Sequence, residues 1–187
     1  MRIGLYGGTF NPPHAGHRLV ALRALTALGL DRLWWLVTPG NPLKSNSRLP
    51  SMAERVAAIR ALVRHPRVTI SGIEQQIGTR FTVDTLRFLV RRAPGVHFVW
   101  VMGGDSLATF HRWKDWRSIA TLMPMAVVDR PGTTLRAGLG KAGLVLGRFR
   151  QASPTRLARR QPPAWVLLYG RRMDLSSTQL RRQSLAQ

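Results

Sequence analysis

The chain contains no cysteine, only three lysines and only eight acidic residues among 187. Without cysteine there is no disulfide staple, no thiolate metal site and no cysteine nucleophile. So few carboxylates argue against an all-carboxylate metal cage and against a two-carboxylate glycosidase site. Long apolar runs are missing too: Trp34 to Val37 and Val99 to Met102 are far too short to cross a bilayer. Arg2 leads directly into a strand-like run and a Gly-rich turn, not into a secretory leader. These absences predict a soluble, cytoplasmic protein with no membrane partner.

Arginine is what the chain has in excess. Lys plus Arg number 29 against 8 Asp plus Glu, a formal net charge of +21 at pH 7. Residues 1–129 carry 17 basic and 7 acidic side chains, and residues 130–187 carry 12 and one. An excess of this size fits polyanionic partners: nucleic acid, anionic lipid or phosphorylated small molecules. At 44% hydrophobic the chain can bury one full core, so residues 1–187 are expected to form a single domain.

Apolar runs alternate with amphipathic stretches. Strands are expected at Arg2 to Tyr6, Leu33 to Val37, Val68 to Ile70, Val96 to Met102, Met125 to Val128 and Trp165 to Tyr169. Between them lie helical patterns: Leu19, Leu22, Leu25 and Leu28 with Gly29 as a stop, and a Ser51/Glu54 capping box opening a Met52, Val56, Ile59 face. Further helices are expected at about Thr82 to Arg92, around Trp113 to Leu122 and from Ser176 onward, with a short strand at Leu144 to Phe149 inside a Gly-, Arg- and Pro-rich region. Strand and helix in alternation indicate α/β architecture: a doubly wound parallel sheet, with ligands beyond the carboxyl ends of its strands.

Gly7-Gly8-Thr9-Phe10-Asn11-Pro12-Pro13-His14-Ala15-Gly16-His17 follows the first strand directly. Its glycines let backbone approach a ligand, and the next helix start offers unpaired N–H groups and a positive dipole end. His14 and His17, three apart, share the first turn and can donate to phosphate oxygens. A zinc site is disfavoured because no third Cys, His or acidic ligand lies nearby in sequence. At the other end, Ser176-Ser177-Thr178-Gln179-Leu180-Arg181 places hydroxyls at a helix start and an arginine one turn on. Taken alone, that segment is equally a well-capped terminal helix.

The first segment resembles the H-x-G-H signature of the nucleotidylyltransferase superfamily, and the second resembles its S-S-T-x-[IL]-R triphosphate site. Phe81-Thr82-Val83-Asp84-Thr85-Leu86, Gly103-Gly104-Asp105-Ser106-Leu107, Phe110-His111-Arg112-Trp113 and Arg130-Pro131-Gly132 are similar to the nicotinate-nucleotide adenylyltransferases over residues 2 to about 182. The resemblance implies a Rossmann-like nucleotidylyltransferase fold and adenylyl transfer from ATP to nicotinate mononucleotide, a step of NAD biosynthesis. It implies His14, His17 and Lys44 as catalytic groups. Gly8, Thr9, Phe10, His17, Gly103, Asp105, Ser176, Ser177, Thr178 and Arg181 would bind ATP. Asn11, Lys44, Thr82, Trp113 and Lys114 would bind nicotinate mononucleotide. Mg²⁺ would arrive with ATP, with no metal held by the protein alone.

Two departures from the family pattern stand out: Leu43 where a His often precedes the basic loop residue, and Asn11 where many members carry Asp. Arg48 is an alternative to Lys44. On physical grounds Trp113 and Trp116, three apart, could equally be core residues. Asp105 could bind ribose hydroxyls or merely cap the next helix, and Tyr6 reads as a wall of the site. The alternatives are a sister enzyme using nicotinamide mononucleotide or phosphopantetheine, or an Arg-rich nucleic-acid-binding module. Against the last, the arginines are dispersed and no stacking motif appears. No nucleic-acid partner is therefore expected, and homo-oligomer formation stays open.

Overall fold

Six strands form one sheet in which every neighbouring pair is parallel: β1 (Arg2–Gly8), β2 (Arg32–Val37), β3 (Val68–Ser71), β4 (His97–Gly103), β5 (Met125–Val128) and β6 (Trp165–Leu168), in the order β3-β2-β1-β4-β5-β6. The structure, a computed structural model, describes residues 1–43, 45–129 and 138–170. The chain builds outward from β1 to β3, then crosses back to place β4 beside β1. That reversal leaves a crevice beyond the carboxyl ends of β1 and β4, where open α/β sheets bind ligands. The expected doubly wound sheet is present.

Both faces of the sheet are covered. Leu33, Trp35, Val99, Val101, Val128 and Val166 pack on one face beneath α1 (Ala15–Ala27) and α2 (Met52–Leu62). Ile3, Leu5, Leu36, Trp100, Met102 and Val127 pack on the other. That second face is covered by α4 (Thr82–Arg92), α5 (Gly104–Thr109), α6 (Trp116–Leu122) and α7 (Lys141–Leu146). A four-residue helix, α3 (Ile73–Gln76), follows β3. Burial of strands on both faces is why they read as continuous apolar runs.

Local signals in the sequence set the helix ends. Ser51 Oγ accepts the Glu54 N–H at 3.2 Å and Glu54 Oε2 accepts the Ser51 N–H at 2.8 Å, the expected capping box; the Ser51 hydroxyl, donating to Oε2 at 2.6 Å, and then the Ser51 N–H hold the Glu54 carboxyl below its usual range. α1 ends where Gly29 takes a left-handed φ of 57°, with Gly29 N–H donating to Thr26 C=O and Leu30 N–H to Leu25 C=O. Its buried stripe runs through Val20, Ala21, Ala24, Leu25 and Leu28, so alanines as well as leucines face the sheet. Arg2 and Asp31 tie the start of β1 to the start of β2: Arg2 Nη2 donates to Asp31 Oδ1 at 2.7 Å, and Arg2 N–H donates to Oδ2 at 2.7 Å.

Two expectations are corrected. Leu144 to Phe149 is not a strand: Lys141–Leu146 is α-helical and Gly147–Phe149 is one 3₁₀ turn. Ala142, Gly143 and Leu146 turn inward at helical spacing, leaving Leu144 and Val145 exposed. The helix expected around Trp113 to Leu122 starts only at Trp116, because Asp115 adopts a left-handed φ of 48° and breaks it from Trp113. The terminal helix expected from Ser176 lies outside the described residues. Among the described residues, no helix is long and apolar enough to cross a membrane.

Candidate active site

The crevice at the β1–β4 reversal is a cleft of about 1050 Å³. Gly8, Thr9, Phe10, Asn11, His14, His17, Thr82, Gly103, Asp105, Trp113 and Lys114 all line it. Every sequence-predicted site residue that the structure describes is therefore brought to one cavity. Lys44, Ser176, Ser177, Thr178 and Arg181 lie outside the described residues.

The histidine turn grows out of β1. His14 is the N-cap of α1, and its Nδ1 accepts the Gly16 N–H at 3.1 Å. His17, at the third helical position, turns back so that its Nδ1 accepts the His14 N–H at 3.2 Å. The pair is a capping box built of imidazoles, with ring centroids 3.8 Å apart. Because each Nδ1 accepts from backbone, the neutral rings carry their proton on Nε2, the nitrogen with which each can donate to an anion. Phe10 braces the turn from inside: its ring is 4% exposed and meets Tyr6, Trp35 and His17 edge-on at 5.1 to 5.2 Å. Phe10 thus offers the cleft backbone rather than side chain. It does so with φ at 51°, a strained value for an aromatic residue. Tyr6 lines the cleft as the expected wall.

The opposite wall comes from β4 and the helix starts beyond it. Trp113 is half-buried and follows a 3₁₀ turn (Phe110–Arg112) in extended conformation, with Trp100 and Phe110 against it edge-to-face at 6.1 and 5.4 Å. Trp116 turns the other way into the core, 7% exposed, against Phe110. The ambiguity between the two tryptophans is thereby resolved by position: Trp113 lines the cleft and Trp116 does not. Lys114 Nζ stands 4.4 Å above the Phe81 ring and 3.5 Å from Asp84, whose other oxygen is 3.6 Å from Arg87. Its charge is partly matched before any ligand arrives. α4 begins after its N-cap, Phe81, with no side-chain hydrogen bond capping it, and Thr82 opens onto the cleft. Asp105 is exposed in the first turn of α5, whose N-cap is Gly103, so capping is not its role.

Four lining residues carry signals that sequence reading missed. Arg80 and Arg112 add positive charge to the rim, along with Arg48. Trp100 forms floor. Glu74 is a buried carboxyl in the wall; burial pushes it up to about 7, with the Thr85 hydroxyl, 3.4 Å away, pulling the other way. Among the described residues, no three His, Cys, Asp or Glu side chains gather as a metal cluster would require.

A parallel sheet of this order, with two imidazoles at its switch point and a basic, aromatic-walled cleft, has the form of a nucleotidylyltransferase. The cytidylyltransferase-like family profile matches residues 5–183. Curated proteins described as probable nicotinate-nucleotide adenylyltransferases are 56% identical in Methylorubrum extorquens, over 97% of this chain and 99% of that one, and 48% identical in Agrobacterium fabrum, over 97% and 98%. The chain belongs to this family, the nicotinate-nucleotide adenylyltransferases. Among solved structures, Plasmodium falciparum nicotinic acid mononucleotide adenylyltransferase complexed with NaAD matches with a TM-score of 0.72, covering 97% of this chain and 82% of that one. At 15% identity that likeness speaks for the fold.

Proposed function

We propose that the protein transfers the adenylyl group of ATP to nicotinate mononucleotide, giving nicotinate adenine dinucleotide and pyrophosphate. The observation that carries this reading is one cleft with two chemically distinct walls: imidazole donors and turn backbone on one side, an indole and an open helix start on the other. An oxygen of the 5′-phosphate attacks the α-phosphorus of ATP, and the bond from that phosphorus to the bridging oxygen of pyrophosphate breaks. The incoming phosphate is already a competent nucleophile, so alignment and charge stabilisation suffice. His14 and His17 donate Nε2–H bonds toward charge developing at the α-phosphate. Backbone of Gly8, Thr9 and Phe10 seats phosphate oxygens, and Asp105 accepts from ribose hydroxyls.

The pyridine ring lies against Trp113, with its carboxylate toward the N–H groups at Thr82, where the helix dipole favours an anion. Lys44 and the Ser176, Ser177, Thr178 and Arg181 segment complete the phosphate contacts in this reading. Mg²⁺ fits as a companion of ATP held by phosphate oxygens and water: of the two carboxyls lining the cleft among the described residues, Glu74 is buried and raised, leaving Asp105 exposed. Bound there, the ion would offset phosphate charge. A cytoplasmic location accords with ATP as substrate.

The test supplies purified protein with Mg²⁺, ATP and either nicotinate or nicotinamide mononucleotide, and follows pyrophosphate and dinucleotide. Turnover of the nicotinate substrate, with kcat/KM at least about tenfold above the amide, is expected, since only the carboxylate gains from the helix start. Preference for the amide, or for phosphopantetheine, would move the protein to a sister activity. Salt-sensitive RNA or duplex binding with no pyrophosphate release would overturn the reading.

A further inference from the structure

Arg55 sits on α2 behind the phosphate turn, 3% exposed, and does not line the cleft. Its guanidinium donates to three backbone carbonyls, while Nη2 lies 4.0 Å from Met52 Sδ. Nε donates to Pro50 C=O at 3.0 Å, and Nη1 donates both to Thr9 C=O at 3.0 Å and to Thr38 C=O at 2.7 Å. Among the described residues, no carboxylate stands within ion-pair distance of it. Burial alone shifts its ionisation, downward, and no opposite charge counters it. Buried arginines are ordinarily matched by a carboxylate, because an isolated charge in a protein interior is costly. This one is matched by carbonyl dipoles and one methionine sulfur.

The carbonyls it holds are not arbitrary. Thr9 belongs to the loop after β1 and Thr38 to the loop after β2, and both residues line the cleft. The strands beneath are already tied there, Thr38 N–H donating to Gly8 C=O at 3.0 Å. Arg55 extends that tie by one residue on the first loop, to Thr9, and to the carbonyl of the same Thr38 on the second. In a trans peptide, C=O and the following N–H point opposite ways. Holding Thr9 C=O from behind therefore directs the Phe10 N–H forward, at the residue whose left-handed backbone needs support.

We propose that Arg55 is a positioning residue for the polyphosphate of the nucleotide: it staples the two loops so that the turn presents its N–H groups, and its unmatched positive charge meets its counter-charge only when phosphates enter. The inference rests on the adenylyl-transfer reading and names the side chain that prepares its phosphate site.

The test compares wild type with Arg55→Met and Arg55→Lys, measuring Mg-ATP affinity by calorimetry and kcat at saturating nicotinate mononucleotide. In Arg55→Met, ATP Kd rises and kcat falls, each by about tenfold or more, the scale expected when a preorganised phosphate contact is lost. Arg55→Lys keeps the charge but cannot fork across three carbonyls, so Kd returns toward wild type while kcat stays low. Folded variants with wild-type Kd and kcat, altered only in melting temperature, would reduce Arg55 to packing and overturn the proposal. If Arg55→Met does not fold, Arg55→Lys decides alone, and a wild-type kcat there overturns it. If wild type binds ATP but leaves nicotinate mononucleotide untouched, the substrate assignment fails while the ATP affinities of the variants still test Arg55.

Discussion

His17 Nδ1 accepts the backbone N–H of His14 at 3.2 Å, so one side chain both completes the helix cap and holds the Nε2–H proposed to meet phosphate. His17→Ala should therefore fail twice. Turnover at saturating substrates should fall roughly 10²- to 10³-fold from the lost donor, and stability should drop by about 1 kcal/mol from the lost cap. His17→Gln retains an acceptor at the third helical position and should restore stability to urea more fully than rate. Near-normal turnover in His17→Ala would remove the imidazole from the chemistry.

Trp113 and Trp116 are three residues apart and should respond to truncation in opposite ways. Trp113→Ala removes a cleft wall, so KM for nicotinate mononucleotide should rise about tenfold, the equivalent of one lost aromatic stack, with ATP KM little changed. Trp116→Ala empties a core position and should cost about 3–5 kcal/mol in urea unfolding, with nicotinate mononucleotide KM unchanged in the folded protein. Equal KM effects would undo the separation of the two tryptophans.

Glu74 predicts an unusual pH dependence. Its carboxyl, pushed up to about 7 by burial from an ordinary 4.5, stays protonated in the fold where the unfolded chain has released the proton. Stability attributable to it must therefore fall as pH rises from 4.5 to 7 and level off above. The stability of Glu74→Gln relative to wild type should grow by about 3 kcal/mol across that window. Urea midpoints at several pH values read it; a flat difference would place the carboxyl in a more solvated setting.

Asp31 works in the opposite sense. The Arg2 side-chain hydrogen bond, followed by the Arg2 N–H, holds its carboxyl down to about 2 from 3.8. Its contribution is present above 3.8 and lost as pH falls toward 2. Asp31→Asn should be less stable than wild type at neutral pH, with the two thermal midpoints converging as the solution is acidified through that range.

The parts of the fold legible in the sequence were those set by local rules. Doubly covered strands such as Val99 to Met102 are apolar without interruption, and Ser51 with Glu54 announced a helix start that is present. Leu144 to Phe149 misled because a short apolar run has no period long enough to separate strand from helix. The break before Trp116 came from one residue, Asp115, adopting a backbone conformation its neighbours give no reason to expect. The cleft-lining motif residues were legible because turn glycines, cap positions and strand ends are adjacent in sequence. Glu74 and Arg55 act through contacts to residues 11 to 46 positions away, which no local window contains. Arg55 left one trace: three after Met52 and four before Ile59, it is a charge on an apolar helical face.

Trp100, at the floor of the cleft, lies so close to β1 that a Cβ at Gly7 would stand 2.5 Å from its ring. The indole occupies the space that any other amino acid would need. The strand that leads into the histidine turn and the aromatic wall are thus coupled through a Gly7–Trp100 contact with no room for a side chain, and Trp100 in turn meets Trp113 edge-to-face. Any substitution at position 7 would therefore disturb both walls of the cleft at once, one through β1 and the other through Trp100.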